Sequence, residues 1–284
     1  MNCHLCPVQC GVDRSKSAGR CGAKSLTIAK AYLHPYEEPP ISFQKGSGTI
    51  FFCGCNLRCM FCQNFELSRV QRGKDITVME LVSIMKELEE RGAENISFVT
   101  PDHVSHLIKG ALEEYRPQIP VVYNSSGYCT VSALEEIDPY IDIYLPDLKF
   151  VSPLLAKRYT GREDYFKAAS EAIKFMAKKP VVFREDGKML SGILVRHLIL
   201  PGCTSDSMKA LDFLKETLPE DAPLSLMRQY TPMGEIADFP ELNRKITERE
   251  YRRVLDYAEM LGFSTLYTQE KESADEKFIP QWEF

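Results

Sequence analysis

The sequence predicts an α/β protein, a partial (β/α)6 TIM-like barrel with a small four-cysteine metal-binding knuckle at its N-terminus. Three observations predict it. From residue 49 onward, short apolar runs alternate about six times with segments of helical periodicity, the pattern of a parallel sheet covered by helices. Polar residues follow each apolar run at once, so they gather at the C-terminal ends of the strands, the working face of such barrels. The first forty residues instead hold four of the ten cysteines and too few apolar side chains for a core.

The bulk numbers exclude several classes. The chain has 284 residues, 44% apolar and 26% charged, ordinary values for a globular protein. A net charge of −5 argues against nucleic acid as a default partner, because phosphate binders usually carry a basic excess. No run approaches the roughly 18 apolar residues of a membrane span. The opening Met1-Asn2-Cys3-His4-Leu5-Cys6-Pro7 lacks the apolar stretch of a secretory signal. The expected location is the cytoplasm, where thiols stay reduced. Ten cysteines there point to metal ligation, not to disulfides.

Residues 1–40 read as a separate metal-binding segment and residues 41–284 as the catalytic core with a C-terminal extension. Cys3, Cys6, Cys10 and Cys21 offer four thiolates, and a segment this poor in apolar residues needs a staple. A closed zinc site and a second iron–sulfur cluster both suit them. Glu37-Glu38-Pro39-Pro40 reads as a linker. Thr49 to Phe52 is a buried strand, and after the turn at Gly54 come Cys55, Cys59 and Cys62. Three thiolates spaced C-x3-C-x2-C on one loop hold three corners of an iron–sulfur cube and leave the fourth iron open to a bound molecule. A structural zinc loop prefers paired C-x2-C units and a fourth ligand, which this triplet lacks.

The remaining elements follow in order. Residues 76–91 carry Val78, Leu81, Val82, Met85 and Leu88 at helical spacing, stopped by Gly92. Strands are expected over 95–99, 120–123, 141–145, 192–200 and 224–227. Helices are expected over 104–115, 131–137, 156–179 with a turn at Gly161, 205–218 and 247–261. An extended piece covers 264–267, and the tail, 270–284, is expected over the surface. The strand ends then supply Thr100-Pro101-Asp102-His103, Asn124-Ser125-Ser126-Gly127, Asp147 with Lys149, Pro201-Gly202 and Gln229-Tyr230-Thr231. Any loop is polar, but this many on one face beside a cysteine loop make a site. Cys53 reads as a small buried apolar residue, Cys129 and Cys203 as isolated core or loop thiols, and His103 and His106 as surface histidines.

Cys55 to Cys62, flanked by Gly54, Asn56, Phe61 and Asn64, resembles the signature of radical S-adenosylmethionine (SAM) enzymes. Within that superfamily the chain resembles pyruvate formate-lyase activating enzymes, in particular an uncharacterised activase-like group with a cysteine-rich N-terminus. The resemblance implies a [4Fe–4S] cluster on Cys55, Cys59 and Cys62, with SAM bound at the open iron. Reductive cleavage of SAM would then yield a 5′-deoxyadenosyl radical for hydrogen abstraction, here from a glycine of a partner enzyme. An electron donor such as flavodoxin or ferredoxin is implied as well. Asp147-Leu148-Lys149 resembles the motif whose Lys lies near the SAM carboxylate and whose Asp helps hold a monovalent cation in the activases. Arg196, in Arg196-His197-Leu198-Ile199-Leu200-Pro201-Gly202, matches a residue near the same carboxylate. Asn124, Ser125 and Ser126 stand where the activases have an Asp-Thr-Asn, so an acid is missing. Thr100 takes the start of the loop that receives the SAM ammonium in many members. Thr231 stands where the activases have a His. These departures open two alternatives: a radical enzyme acting on a small metabolite or peptide, and a non-catalytic electron carrier. The carrier has no need of Asp147, Lys149 and Arg196.

Overall fold

The computed structural model describes residues 3–70 and 72–270. Its strands are β1 (Leu26–His34), β2 (Ser47–Phe52), β3 (Lys74–Ile76), β4 (Ile96–Val99), β5 (Val121–Ser125), β6 (Ile143–Pro146), β7 (Val182–Phe183), β8 (Met189–Ile193), β9 (Val195–Leu198), β10 (Leu224–Met227) and β11 (Leu266–Thr268). The α-helices are α1 (Pro39–Ser42), α2 (Val78–Glu90), α3 (Ser105–Glu114), α4 (Val131–Ile137), α5 (Pro153–Thr160), α6 (Tyr165–Met176), α7 (Thr204–Thr217) and α8 (Glu248–Leu261). Among the described residues no helix is long and apolar enough to cross a membrane.

Two sheets build the wall. One runs β3-β1-β2-β4-β5-β6-β8-β7 and the other β11-β10-β9. The pairs β2–β4, β4–β5, β5–β6 and β6–β8 are parallel, and so are β9–β10 and β10–β11. This is a mostly parallel α/β sheet of the partial barrel type. Its strands are apolar on both faces because both are covered: every residue of β2, β5, β6 and β10 is buried. Parallel strands need long crossovers, and the helices supply them. In α2 the apolar positions Leu81, Val82, Met85 and Leu88 form the buried face. Thr77 and Glu80 close its N-terminus reciprocally, with Glu80 N–H donating to Thr77 Oγ1 at 3.1 Å and Thr77 N–H to Glu80 Oε2 at 2.8 Å. The same device, Thr247 with Glu250, opens α8.

Several expectations change. The strand expected over 192–200 is two strands, β8 and β9, in different sheets. Leu194 N–H still bonds Tyr144 C=O at 2.9 Å, but from Val195 the chain pairs with β10. The sheets are joined by an isolated parallel bridge, Asp147 to Arg196. Within the N-terminal segment, β1 pairs antiparallel with β2 and so extends the main sheet. Residues 37–40, read as a linker, are not one: Glu38 is the N-cap of α1, and Pro39 and Pro40 are its first two residues. His103 is not a surface histidine: it is fully buried, and its Nε2 bonds Cys53 C=O at 2.8 Å. Phe278, Trp282 and Phe284 of the tail lie outside the described residues.

Candidate active site at the mouth of the barrel

The cysteine loop is fixed from all sides by main-chain bonds. Gly54 turns the chain with φ 90°, a conformation side chains rarely adopt, and its N–H bonds Leu67 C=O at 2.8 Å. Cys55 N–H donates to Cys21 C=O at 3.1 Å, and Met60 N–H to Tyr159 C=O at 2.9 Å. Asn56 Nδ2 donates to Tyr128 C=O at 2.7 Å. A Cβ at Gly234 would run into the Met60 carbonyl, which is how residues 234–235 press against the loop. Phe61 sits edge-on to Phe150, Tyr159 and Tyr230, an aromatic bed that keeps water from the loop's inner side.

Cys55 and Cys59 are buried and Cys62 half-buried. Burial pushes the Cys55 thiol up to about 11, Cys59 higher still, and raises Cys62. Thiols so placed ionise only against a positive centre, and the irons of a cluster are one. Among the described residues no three His, Cys, Asp or Glu side chains converge on a point as the ligands of one ion would. A cube asks for something else, one thiolate at each of three irons. Three thiols on one loop, two buried and one half-buried, all lining one cavity, fit it.

That cavity holds about 560 Å³ and is lined by Cys55, Cys59, Cys62, Thr100, Asn124, Ser125, Ser126, Asp147, Lys149 and Arg196, the ten barrel positions to which the sequence resemblance gives a cluster or SAM role. Gln229 and Leu198 add to the wall. Asp102 is not on it. Its carboxyl is buried, accepts from Ser125 Oγ at 2.7 Å, and is pushed up to about 6 by burial. Thr231 and the Pro201-Gly202 turn do not line the cavity either, and Cys3, Cys6, Cys10 and Cys21 stand outside it.

The charged wall is a tight network. Arg196 donates from Nε to Asp147 Oδ1 at 2.8 Å, from Nη1 to Glu37 Oε1 at 2.8 Å, and from Nη2 to Asn124 Oδ1 at 2.7 Å. Asn124 Nδ2 in turn donates to Glu37 Oε2 at 2.8 Å, and Lys149 Nζ to Asp147 Oδ2 at 2.7 Å. Burial alone would raise the Asp147 carboxyl, but Arg196 and Lys149 beside it hold it below the usual carboxylate range. Lys149 keeps two of its three N–H donors for a ligand, whereas every Arg196 nitrogen already has a partner.

Glu37 is the functional candidate that sequence reasoning missed. It leaves β1 just before α1 and reaches across 159 positions of sequence to Arg196. The one signal was an acid pair placed beside Pro-Pro. Thr100 also stands out, since φ 57° is left-handed for a β-branched residue. Phe43 and Arg58, also at positive φ, lie respectively on the cavity wall and in the cysteine loop. Backbone strain of this kind collects at functional sites.

Comparison with known proteins agrees with this geometry. An uncharacterised protein of Methanocaldococcus jannaschii is 31% identical over 279 residues, 94% of this chain and 77% of that protein. The pyruvate formate-lyase-activating enzyme of Clostridium pasteurianum is 28% identical over 133 residues, covering 42% of this chain and 54% of the enzyme. The structure of Streptococcus suis SuiB bound to precursor peptide SuiA shares the fold, with a TM-score of 0.53 at 15% identity over 77% of this chain and 47% of SuiB. SuiB bound to S-adenosylmethionine gives 0.52 at the same identity. This chain therefore spans about half the length of SuiB. Residues 49–213, which run from β2 through the cysteine loop and the charged wall into α7, match the radical SAM superfamily. The chain belongs to that superfamily, and its cysteine loop and Asn124, Asp147, Lys149 and Arg196 of the charged wall lie within the matched residues, with Glu37 before them.

Proposed function

We propose that this enzyme uses a [4Fe–4S] cluster on Cys55, Cys59 and Cys62 to cleave SAM and abstract hydrogen from a macromolecular substrate. Membership of the superfamily implies the cluster and SAM. The observation that carries the assignment is that all three thiols and the Asp147–Lys149–Arg196 group line one cavity. With both bound, one electron breaks the sulfonium bond of SAM to give methionine and a 5′-deoxyadenosyl radical. The protein's own part is to bind, orient and exclude water. Lys149 offers two further N–H donors to the SAM carboxylate, and Arg196 keeps a second N–H on each of Nη1 and Nη2 beside its bonds to Glu37 and Asn124. Thr100, Asn124, Ser125 and Ser126 supply short polar groups for the ammonium and ribose.

The likeness to a glycyl-radical activase supports a protein or peptide target, reached through a mouth whose rim carries the exposed Tyr36. The low-potential electron comes from a donor such as flavodoxin or ferredoxin. The loss of the activase acid at Asn124 and His at Thr231 favours, as the second reading, a target other than the usual glycine, including a small metabolite. Cys3, Cys6, Cys10 and Cys21 are proposed to hold a metal, either zinc or a second cluster.

Anaerobic reconstitution with iron and sulfide tests the assignment. The Cys55→Ala, Cys59→Ala, Cys62→Ala triple variant should lose cluster iron and all SAM cleavage. Lys149→Ala should keep the cluster spectrum but bind SAM about 10- to 150-fold more weakly, the loss of a charge-assisted hydrogen bond worth roughly 1.5–3 kcal/mol. Undiminished iron in the triple variant would refute the cluster site. Wild-type SAM affinity in Lys149→Ala would refute the carboxylate contact.

A further inference from the structure

Residues 3–24 fold without a helix or a strand, with β pairing limited to a bridge at Asp13. Their shape comes from a few main-chain bonds, Cys3 N–H to Val12 C=O at 2.9 Å, Gly11 N–H to Cys3 C=O at 3.0 Å and Gln9 N–H to Cys6 C=O at 3.0 Å, with Gln9 and Gly11 at positive φ. What this knuckle buries is chiefly its thiols: Cys3, Cys6 and Cys21 are buried, and Cys10 stands half-buried beside the exposed stretch 15–18. The turns fold all four cysteines into one small unit: Cys3 is bonded to both Gly11 and Val12 just after Cys10, and Gly22 N–H bonds Gly19 C=O at 2.9 Å around Cys21. Gly19 has no side chain for a plain reason, since a Cβ there would lie 2.7 Å from Cys10 Sγ. A segment without a core that orders itself around four thiols is built for a metal centre.

Its docking is equally specific. Cys55 N–H donates to Cys21 C=O at 3.1 Å, so a cysteine of the knuckle and a cysteine of the barrel loop are joined by a single hydrogen bond. Arg20 donates to Asn56 C=O at 3.2 Å and Leu57 C=O at 3.3 Å, and Arg58 returns a bond to Arg20 C=O at 3.3 Å. The knuckle thus covers the back of the cysteine loop and contributes nothing to the cavity, whose walls begin at His34. A donor cannot approach through a cavity filled by SAM and substrate. The knuckle side offers the short route in.

We propose that Cys3, Cys6, Cys10 and Cys21 hold a second iron–sulfur cluster that feeds electrons to the barrel site through the Cys21–Cys55 contact. The inference rests on the barrel assignment above and chooses iron over zinc at the knuckle. Zinc has no redox chemistry and would gain nothing from a bond between its ligand and a ligand of the reactive centre. Like the barrel thiols, the described knuckle thiols do not converge as the ligands of one ion. In each transfer a low-potential one-electron donor loses one electron to the knuckle cluster. That cluster returns to its oxidised state as the barrel site gains the electron. No bond is made or broken and no proton moves.

The test uses the full chain, purified anaerobically. The Cys55→Ala, Cys59→Ala, Cys62→Ala variant should keep about half the wild-type iron and sulfide and show a dithionite-reducible paramagnetic signal. Zinc alone in that variant overturns the relay and leaves a structural metal standing. No metal at all overturns both. Fully reduced wild type should show the two signals broadened by mutual coupling, and two uncoupled signals overturn the proposed contact. In Cys6→Ala, Cys10→Ala the barrel signal should still respond to SAM while photoreduced flavin delivers electrons about tenfold more slowly. An unchanged delivery rate refutes the relay. Wild type devoid of iron would instead refute the barrel assignment on which this rests.

Discussion

Two adjacent acids between β1 and α1 meet different fates. Glu37 accepts hydrogen bonds from Arg196 and Asn124. Glu38 is buried, and burial pushes it up to about 7, with Arg196 only partly opposing the rise. A raised carboxyl favours the folded state while neutral, fully so below its ordinary pKa, and that contribution is lost as pH climbs through the folded value. Stability should therefore decline between pH 4.5 and about 7, by an upper bound of about 3 kcal/mol. Glu38→Gln, neutral throughout, should remove that part of the slope in anaerobic urea unfolding. A variant with the wild-type slope would show that Glu38 is ionised in the fold. At this scale the sequence was legible where spacing or position marks a residue, and those residues do come together on one cavity. Cys55, Cys59 and Cys62 announce themselves by spacing, and Asp147 and Lys149 by following a strand. Glu37 could not be read, because its partners lie 87 and 159 positions away and only the folded chain brings them together.

Elements were legible when their periodicity was clean. The predicted helix over 131–137 and strand over 224–227 coincide with α4 and β10. Two failures have a physical cause. Ile193-Leu194-Val195 is one unbroken apolar run, and such a run cannot reveal that its hydrogen-bond partner changes from β6 to β10 in mid-course. In β1 only Leu26 is fully buried, so it presents neither an apolar run nor a sharp alternation. At the exit of β4, Thr100 holds φ 57° against a steric cost of about 1–2 kcal/mol. Thr100→Gly should accordingly raise the unfolding free energy by about 1 kcal/mol while weakening SAM binding through loss of the hydroxyl. Calorimetry of folding and of SAM titration would measure both. A destabilised Thr100→Gly would mean that side-chain contacts outweigh the strain.

The molecule as a whole depends on how its N-terminal knuckle is fastened. Arg20 bonds the carbonyls of Asn56, Leu57 and Thr160, the last at 2.7 Å, and all three residues are buried. Arg20→Ala would strand these acceptors, and the expected loss is roughly 3 kcal/mol in anaerobic thermal unfolding, with protease cleavage first arising in residues 3–24. A loss below about 1 kcal/mol would mean that the knuckle is held mainly by other contacts, such as Arg14 on His103 C=O at 2.6 Å. The two sheets have their own fastening. Between β6 and β9 the wall is joined by the Asp147–Arg196 bridge, by Leu148 N–H to Arg196 C=O at 2.9 Å, and by the ion pair of the same two side chains. In mechanical terms the barrel is two plates riveted along the seam from Asp147 and Leu148 to Arg196 and His197, and the Asp147–Arg196 rivet faces the cavity. A ligand that draws Arg196 toward its own carboxylate therefore changes the load on the joint. By reciprocity, any force that splays the plates, such as a partner wedged against β11, changes the grip on that ligand.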